Sequence, residues 1–457
     1  MGREFWGNAV EALLSSYDAP AVAHLLADLE RRRLVMPLRT TLESETGYAF
    51  THALVRDAAY EALTKQDRAE LHERVADWFE QRHPERMIEL EPIVGHHLEQ
   101  AYRQRTDLGP AGPRGYALAQ RAARRLAAAG SRAARAREDS AAANLLERAA
   151  DLLPATAGER IALLPMIAEA WRLVGEARMS QGRAAEGRTA LERALEHTSR
   201  ARAPRTWNAV LFEIGMCLLD GPAPLAEAIT FAQRQLDAAR AEELRGVEAD
   251  MLHVLGAGLG RRGDFDAGRA ALEEASVISE ELGLRYMAQW SRRNLGHLEL
   301  AAGDAAAAER VLRDSWDVLT EMGLNSSLGE TAVPLAEAVF EQGRPEEAAE
   351  ILRAVKDEWA SGDASIAGPR LAVRARLQAA EGFPVIALQT AERALRVVRP
   401  TDLLCLRADT LLAHAEVARI AGEEDVAADS AEEALRISEA KGYAVGMARA
   451  RVEAARA

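Results

Sequence analysis

The sequence predicts a mainly α-helical protein, an α-solenoid of about eight helix pairs preceded by a small domain that mixes helices with short strands. Three observations predict this fold class. Glycine recurs about every 40 residues along the C-terminal part of the 457-residue chain. Hydrophobic residues make up 48% of the sequence but aromatic residues only 5%, so Ala, Leu and Val must fill the core, as in closely packed helices. Residues 34–50 carry a short hairpin pattern.

The N-terminal pattern is helical, then changes to strands, and then returns to helices. We predict helices over residues 3–15, 19–33, 53–65 and 66–81, and strands over residues 34–39 and 47–50. A polar turn, Ser44 to Gly47, separates the two strands. Helices followed by a small hairpin are typical of a winged helix. We therefore predict a winged-helix domain over residues 1–85, connecting helices over residues 86–114 and repeats over residues 115–457.

The repeat is marked by seven glycines with spacings of 39 to 42 residues. They are Gly182, Gly221, Gly263, Gly303, Gly343, Gly382 and Gly422. Most copies also carry Gly or Ala seven residues before and five residues after the glycine. Antiparallel helices approach closely only where a side chain is small, and the turn between them needs a residue that tolerates positive φ. Each glycine therefore predicts the turn inside one helix pair.

This register resembles the tetratricopeptide repeat. The copies Leu255-Gly256…Gly263-Asp264…Ala275 and Leu295-Gly296…Gly303-Asp304…Ser315 match its Leu-Gly, turn-Gly and small-residue positions closely. The copy around Gly221 departs, with Ile214 at a small position, and the copy around Gly382 has Arg374 in place of Leu. The period exceeds the family's usual length of about 34 residues, which predicts longer helices. The resemblance implies a superhelix with a concave groove.

Counting back from the turn glycines selects the residues of each first helix that are expected to line this groove. They are Asp250, His253, Trp290, Arg293, His297, Glu330 and Glu337. Aromatic and charged residues on a concave wall suit a peptide or another protein domain. The alternative that they simply face solvent stays open at this point. Trp171 occupies a position that favours the core.

A second resemblance begins at the predicted hairpin. Residues 48–63, YAFTHALVRDAAYEAL, followed by LHERVA at residues 71–76, resemble the winged-helix segment of the signal-transducing ATPases with numerous domains. The residues Gly2 to Trp6 resemble the start of that segment. The resemblance implies a module that passes partner binding to an associated ATPase or nucleotide cyclase. It also implies that His52 senses bound ADP or ATP, but only together with an ATPase module; alternatively, His52 caps its helix or packs beside the wing.

The chemistry needed for catalysis is not predicted in this chain. A phosphate-binding loop requires Lys followed by Ser or Thr, whereas Lys65, Lys356 and Lys441 are followed by Gln, Asp and Gly. His96 and His97 are adjacent on a predicted helix and point apart, without a carboxylate or thiolate spacing that would complete a metal site. We therefore expect a non-catalytic chain without a cofactor or metal of its own.

Charge and composition restrict the partners further. The net charge of −14 repels phosphate backbones, so nucleic acid is an unfavourable partner. A transcription regulator that reads DNA through Arg31-Arg32-Arg33 remains the alternative function. The arginines between residues 103 and 148 suit a solvated face or an acidic domain. No apolar run long enough to cross a bilayer and no signal peptide is apparent, and Cys217 and Cys405 read as buried thiols, so we expect a cytoplasmic protein.

Overall fold

A computed structural model describes residues 4–14, 19–38, 46–201, 204–354 and 363–456. It confirms a helical-repeat solenoid preceded by a small domain that contains strands. The chain divides into two compact units. The N-terminal unit comprises Met1–Trp171 with His197–Arg202, and the C-terminal unit comprises Arg172–Glu196 with Ala203–Ala457.

The strands of the N-terminal unit form one antiparallel sheet in the order β1-β3-β2. They are β1 Glu4–Trp6, β2 Val35–Leu38 and β3 Gly47–Phe50. The register pairs Val35 with Phe50, which confirms the predicted hairpin, although Ser44 and Glu45 of its turn lie outside the described residues. The prediction that a helix begins before residue 7 was wrong, because Phe5 joins the sheet and stacks on Tyr48 at 5.7 Å between ring centroids.

The helices of the small domain confirm the predicted order but not every boundary. They are α1 Gly7–Leu13, α2 Ala19–Arg31, α3 Ala53–Glu61 and α4 Lys65–Arg82. Helix α3 ends four residues before the prediction. The reason is local, because Thr64 starts the next helix: its hydroxyl accepts a hydrogen bond from the Asp67 amide at 3.1 Å. Arg3 and Gly2, named in the sequence patterns, lie outside the described residues.

One long helix follows, and eight helix pairs then continue to near the C-terminus. A 3₁₀ turn at Pro84–Arg86 leads into α5 Met87–Thr106. The pairs are α6 Gly112–Arg135 with α7 Asp139–Asp151, α8 Gly158–Ser180 with α9 Ala184–Ala201, α10 Pro204–Asp220 with α11 Leu225–Ala241, α12 Arg245–Arg262 with α13 Phe265–Glu281, α14 Arg285–Ala302 with α15 Ala305–Met322, α16 Asn325–Glu341 with α17 Pro345–Ala354, α18 Ala364–Ala380 with α19 Pro384–Val398, and α20 Leu404–Ile420 with α21 Glu424–Lys441. Helix α22 Ala444–Ala454 ends the array.

The turn glycines behave as the repeat predicts at six of the seven positions. Each of the six has a positive φ, for example +92° at Gly263, where the chain reverses between α12 and α13. Gly221 is the exception and does not adopt a positive φ, so the prediction was wrong there. Its copy carries Ile214 at the position where most copies have Gly or Ala. In addition, α11 starts only after the proline-containing segment 222–224.

Small residues permit the predicted close approach within pairs. A Cβ added at Gly256 would lie 2.7 Å from Leu272 Cγ, and one added at Gly296 would lie 2.5 Å from Leu312 Cγ. Both distances are too short for carbon atoms that are not bonded. The glycines therefore allow the leucines of each second helix to reach the backbone of the first, where both leucines are fully buried.

Within the C-terminal unit the first helices form one layer. Each first helix from α10 to α20 packs against the next first helix, and α22 packs against α20. The ends of this layer also meet, since α10 contacts α20 and α12 contacts α22. A layer whose ends return to one another must curve, so the first helices face inward. We call the surface formed by α10, α12, α14, α16, α18, α20 and α22 the inner wall.

Candidate functional site

All seven residues predicted to line the groove lie on first helices of the inner wall, on α12, α14 and α16. They occupy fixed offsets of 13, 10 or 6 residues before the turn glycine of their pair. The structure separates them into two regions by chemistry. We call the α10, α12 and α14 part of the wall the aromatic half, and the α16, α18, α20 and α22 part the ionic half.

The aromatic half contains four rings, each in contact with at least one of the others, which we call the aromatic cluster. Phe212 lies 5.5 Å from His253 and 5.7 Å from Trp290, and Tyr286 lies 5.8 Å from Trp290, measured between ring centroids. These distances suit tilted and edge-to-face contacts between rings. Phe212 lies on α10, His253 on α12, and Tyr286 and Trp290 on α14. The cluster therefore ties three successive helix pairs together.

His253 lies inside this cluster and is only 1% exposed. Its Nε2 lies 3.3 Å from the Asn294 amide nitrogen and its Nδ1 lies 3.1 Å from the Ser291 hydroxyl. Because an amide nitrogen only donates, Nε2 accepts and the ring proton resides on Nδ1. Burial, with repulsion from Arg293 and Arg261, lowers the pKa of His253 to about 3. The ring is therefore neutral at physiological pH.

Asp250 lies one turn before His253 and is 8% exposed. Burial raises its pKa to about 7, although a hydrogen bond from Asn208 opposes the shift. Asp250 and His253, which we predicted to line the groove, thus lie beneath its surface. The neighbouring first helices supply the reason, because Asn208 and Phe212 of α10 cover them.

Two polar atoms of the aromatic half have no partner within the described residues. They are the indole Nε1 of Trp290, a donor, and the amide Oδ1 of Asn208, an acceptor, and both atoms are buried. Buried polar groups in proteins are nearly always hydrogen-bonded to protein, water or a ligand. Neither atom is exposed to solvent, so both lie behind the surface that a bound molecule would contact.

Arg293 connects the two halves. Its guanidinium lies 5.2 Å from the centroid of the Trp290 ring, a cation–π contact, and it forms an ion pair with Glu330 of α16. Its side chain is 15% exposed. His297, one turn further along α14, has an exposed side chain.

The ionic half is organised around Arg376 of α18, whose side chain is only 11% exposed. The guanidinium donates to Glu337 at 3.2 Å, to Glu341 at 2.6 Å and to Glu416 at 2.8 Å. It also lies 4.9 Å from the centroid of the Phe340 ring. One cation therefore joins three successive first helices, and we call these four charged residues the Arg376 network.

Sequence reasoning missed three residues of the ionic half that the same offsets select. Arg376 and Glu416 stand six residues before their turn glycines, as Glu337 and His297 do, and Asp409 stands thirteen before Gly422. Asp409 accepts hydrogen bonds from the Tyr443 hydroxyl at 3.0 Å and from Arg449 at 3.1 Å. Counting the same offsets back from Gly382 and Gly422 would have identified all three residues.

His52, the proposed nucleotide sensor, lies in the N-terminal unit at the start of α3. Its side chain is exposed and makes no capping hydrogen bond, while its backbone carbonyl accepts from the Val55 amide at 3.1 Å. Helix α3 has no buried residue, and its Leu54 is 81% exposed. This face of α3 is thus uncovered by the described residues.

The other histidine and arginine patterns have structural partners in the N-terminal unit. His97 Nδ1 lies 2.8 Å from His72 Nδ1, and His72 Nε2 lies 3.0 Å from the Tyr60 hydroxyl. Several arginines between residues 103 and 148 pair with carboxylates of α4 and α5. These pairs are Arg121 with Asp77 and Glu80, Arg125 with Glu80 and Glu91, Arg132 with Glu91, and Arg148 with Glu99.

Both cysteines are free and buried, as predicted. Trp171 is half-buried between two small clusters of apolar residues, and its Nε1 donates to Glu147 at 2.7 Å. In the described part of the chain, no helix combines the length and apolarity that a bilayer span requires.

The fold is similar to those of known helical-repeat structures. A Rap protein crystallised in complex with competence and sporulation factor has a TM-score of 0.53 and 13% identity, covering 81% of this chain and 96% of that protein. A Rap conjugation gene regulator of the plasmid pLS20 has a TM-score of 0.49 and 12% identity, covering 76% of this chain and 98% of that protein. A tetratricopeptide repeat protein from Parabacteroides merdae has a TM-score of 0.40 and 13% identity, covering 63% of this chain and 98% of that protein. No protein-family model and no curated protein matches the chain in sequence.

Proposed function

We propose that this chain is a non-catalytic regulatory scaffold whose inner wall binds an extended peptide segment of a protein partner. The observation that carries the proposal is the group of partly exposed side chains Tyr286, Trp290 and Arg293, which contact one another on the inner wall. An extended peptide can pack its side chains on the two rings, and its main-chain carbonyls can accept hydrogen bonds from the guanidinium. The likeness to the Rap protein crystallised with competence and sporulation factor supports a binding role for the fold.

The types of these side chains suit the same partner. Trp, Tyr and Arg contribute most to the affinity of protein interfaces, and Trp290, Tyr286 and Arg293 lie together here. The ionic half continues the wall with the Arg376 network, in which one cation faces three carboxylates and the net charge is −2. A polar peptide that carries cationic side chains, rather than a polyanion, therefore fits this wall best.

The finer proposal is that the N-terminal domain relays binding to an associated signal-transducing ATPase or nucleotide cyclase. The β1-β3-β2 sheet with its flanking helices is what a winged helix would require. The exposed side chain of His52 on the uncovered face of α3 is what a nucleotide sensor would require before its ATPase module docks. ATP or ADP would then bind through that module and not through this chain alone.

DNA binding through α2 gains no support from the geometry. Arg31 and Arg32 both pair with Asp28, at 3.0 Å and 2.8 Å, which occupies two of the three arginines proposed to read DNA. A gel shift at low salt tests this alternative, since a phosphate-binding protein would lose affinity steeply as salt rises.

Selection from a displayed peptide library against the full chain tests the binding proposal. We expect Trp290→Ala to weaken the selected peptides by roughly tenfold or more, as at interface hot spots. The control is Arg310→Met, an exposed arginine on α15. Equal binding to Trp290→Ala and to the control would contradict the proposed site.

The relay is tested separately by the coding sequence upstream of Met1. We expect a phosphate-binding ATPase module there, in frame or as a neighbouring gene. With that module present, His52→Ala should change nucleotide affinity, whereas the chain alone should not hydrolyse ATP.

A further inference from the structure

Two loops of the C-terminal unit that lie far apart in sequence are joined by buried hydrogen bonds. Lys441, at the end of α21, is fully buried, and its Nζ donates to the backbone carbonyls of Leu218 at 2.8 Å, Gly221 at 2.7 Å and Ala223 at 2.6 Å. Burial lowers the pKa of Lys441 to about 8, so at pH 7 the group is still an ammonium with three N–H donors, one for each carbonyl.

A second junction lies one helix pair earlier. The Asp402 carboxylate accepts from the backbone amides of Ala184 at 2.6 Å and Ala185 at 2.9 Å, at the N-terminus of α9. The Asp402 amide donates to the Gly182 carbonyl at 2.9 Å. The fit is close, because a Cβ at Gly182 would lie 2.4 Å from Thr401 Cγ2.

Both junctions span the same number of residues. Lys441 is 220 residues from Gly221, and Asp402 is 220 residues from Gly182. This offset equals five and a half repeat periods of 40, so a turn inside one pair meets a connection between two later pairs. We call the Lys441 and Asp402 junctions together the clasp.

We infer that the clasp closes the C-terminal unit into a ring and that closure of this ring and occupancy of the inner wall stabilise each other. The inference rests on the proposed function for its second part. The clasp brings α10 to α20 and α12 to α22, so the aromatic half and the end of the ionic half become neighbours. Arg261 of α12, paired with Asp220 at 2.7 Å, lies close enough to Tyr443 and Asp409 to affect their pKa values.

Peptide binding and ring closure are coupled because closure makes the two ends of the inner wall neighbours. A peptide that contacts both sides of the junction gains its full set of contacts only when the ring is closed. Its binding must then favour closure, and closure must favour its binding by the same factor. Opening the ring would leave the two ends of the wall as separate and weaker surfaces.

The two cysteines provide a native report of opening, because one lies on each side of the junction. Cys217 of α10 and Cys405 of α20 are 2% and 5% exposed. Burial raises the pKa of both thiols, that of Cys405 to about 11. Labelling by N-ethylmaleimide, which requires an exposed thiolate, therefore measures how often this region opens.

The test is the rate of labelling of each cysteine in the full chain, read by mass spectrometry. We expect Lys441→Met and the milder Asp402→Asn to speed labelling by roughly tenfold or more, since charge-assisted hydrogen bonds of this kind shift an opening equilibrium by about that factor. Arg436→Met and Asp429→Asn, exposed substitutions of the same types on α21, are the controls. Circular dichroism confirms that each variant is folded.

The outcomes separate the two proposals. Labelling of both clasp variants at the control rate would overturn ring closure by the clasp. A selected peptide at saturating concentration should slow labelling of both cysteines in the unmodified chain by the factor by which it prefers the closed ring over the open one. Labelling that is unchanged when the peptide is bound would overturn the coupling and leave the peptide site standing. Failure to select any peptide would reject the proposed function, while the labelling rates would still decide closure.

Discussion

The two halves of the inner wall use the same repeat positions for opposite purposes. At the offset of thirteen residues before the turn glycine, the aromatic half places Asp250 under α10, while the ionic half places Asp409 against Tyr443 and Arg449. At the offset of ten, His253 is enclosed by Phe212 and Trp290. The repeat register thus decides which residues face the wall. The side chains of the neighbouring first helix decide how deeply they lie.

The difference also assigns separate tasks to the halves. Rings and a buried histidine give the aromatic half a packed interior, whose stability depends on shape and apolar area. The Arg376 network depends instead on one cation that is shared by three carboxylates. The following predictions test that division, beginning with the largest effect.

Truncating Phe212 should damage the aromatic half most. Phe212→Ala removes a ring that is 8% exposed and contacts His253 and Trp290. We expect the free energy of unfolding of the C-terminal unit to fall by about 3–5 kcal/mol. Urea denaturation followed by circular dichroism measures it. Phe383→Ala, at a ring that is 53% exposed, is the control, and an equal loss in both variants would contradict the packed aromatic half.

Removing the cation from the Arg376 network should have a smaller effect. Arg376→Met keeps the length of the side chain but leaves Glu337, Glu341 and Glu416 without their shared cation. These carboxylates are 27%, 45% and 26% exposed, so solvent compensates for part of the loss, and we expect about 1–2 kcal/mol. The deficit should shrink at low pH, where the carboxylates are protonated. Arg310→Met serves as the control, and a loss that does not change with pH would argue against an ionic role.

The smallest effect should be the combined pH dependence of Asp250 and His253 in the unmodified chain. Asp250 has a folded pKa of about 7, above its ordinary 3.8, so its stabilising contribution is lost as pH rises from about 4 to 7. His253 has a folded pKa of about 3, below 6.5, so its contribution is lost as pH falls from about 6.5 to 3. Between pH 4 and 6.5 the two slopes oppose each other.

Single substitutions should reveal the hidden slopes. In Asp250→Asn, stability should rise with pH across this window relative to the unmodified chain, and in His253→Gln it should fall. Thermal denaturation at a series of pH values measures both. Parallel curves for all three proteins would show that neither group has a shifted pKa.

Most of the fold could be predicted from the sequence because it depends on spacing. Glycine and alanine positions determine where helices turn and touch, and this information is local in each repeat. The prediction failed at Glu4–Trp6 and at Gly221, where contacts with distant residues or an unusual connection override local preference. Three residues are too few for a periodic signal, so β1 depends on pairing with β3.

The helix that carries each candidate site residue could be predicted from the sequence, but how deeply that residue is buried could not. Counting offsets selected Trp290, Arg293 and Glu330, which lie on the first helices α14 and α16, and the same count would have reached Arg376. That Asp250 and His253 are covered depends on which residues α10 presents, which no offset within one copy contains. The clasp could not be predicted either, because Lys441 and Asp402 stand in ordinary connections whose partners are 220 residues away.

The equal offset of the two junctions has a consequence for how this protein can change. Open solenoids gain or lose whole units freely, because each unit contacts only its neighbours. Here a duplication or deletion of one unit between Gly221 and Asp402 would carry Lys441 and Asp402 about 40 residues out of register with the carbonyls and amides that receive them. The number of units in this segment is therefore fixed by geometry, and lineage-to-lineage variation in length should fall outside it.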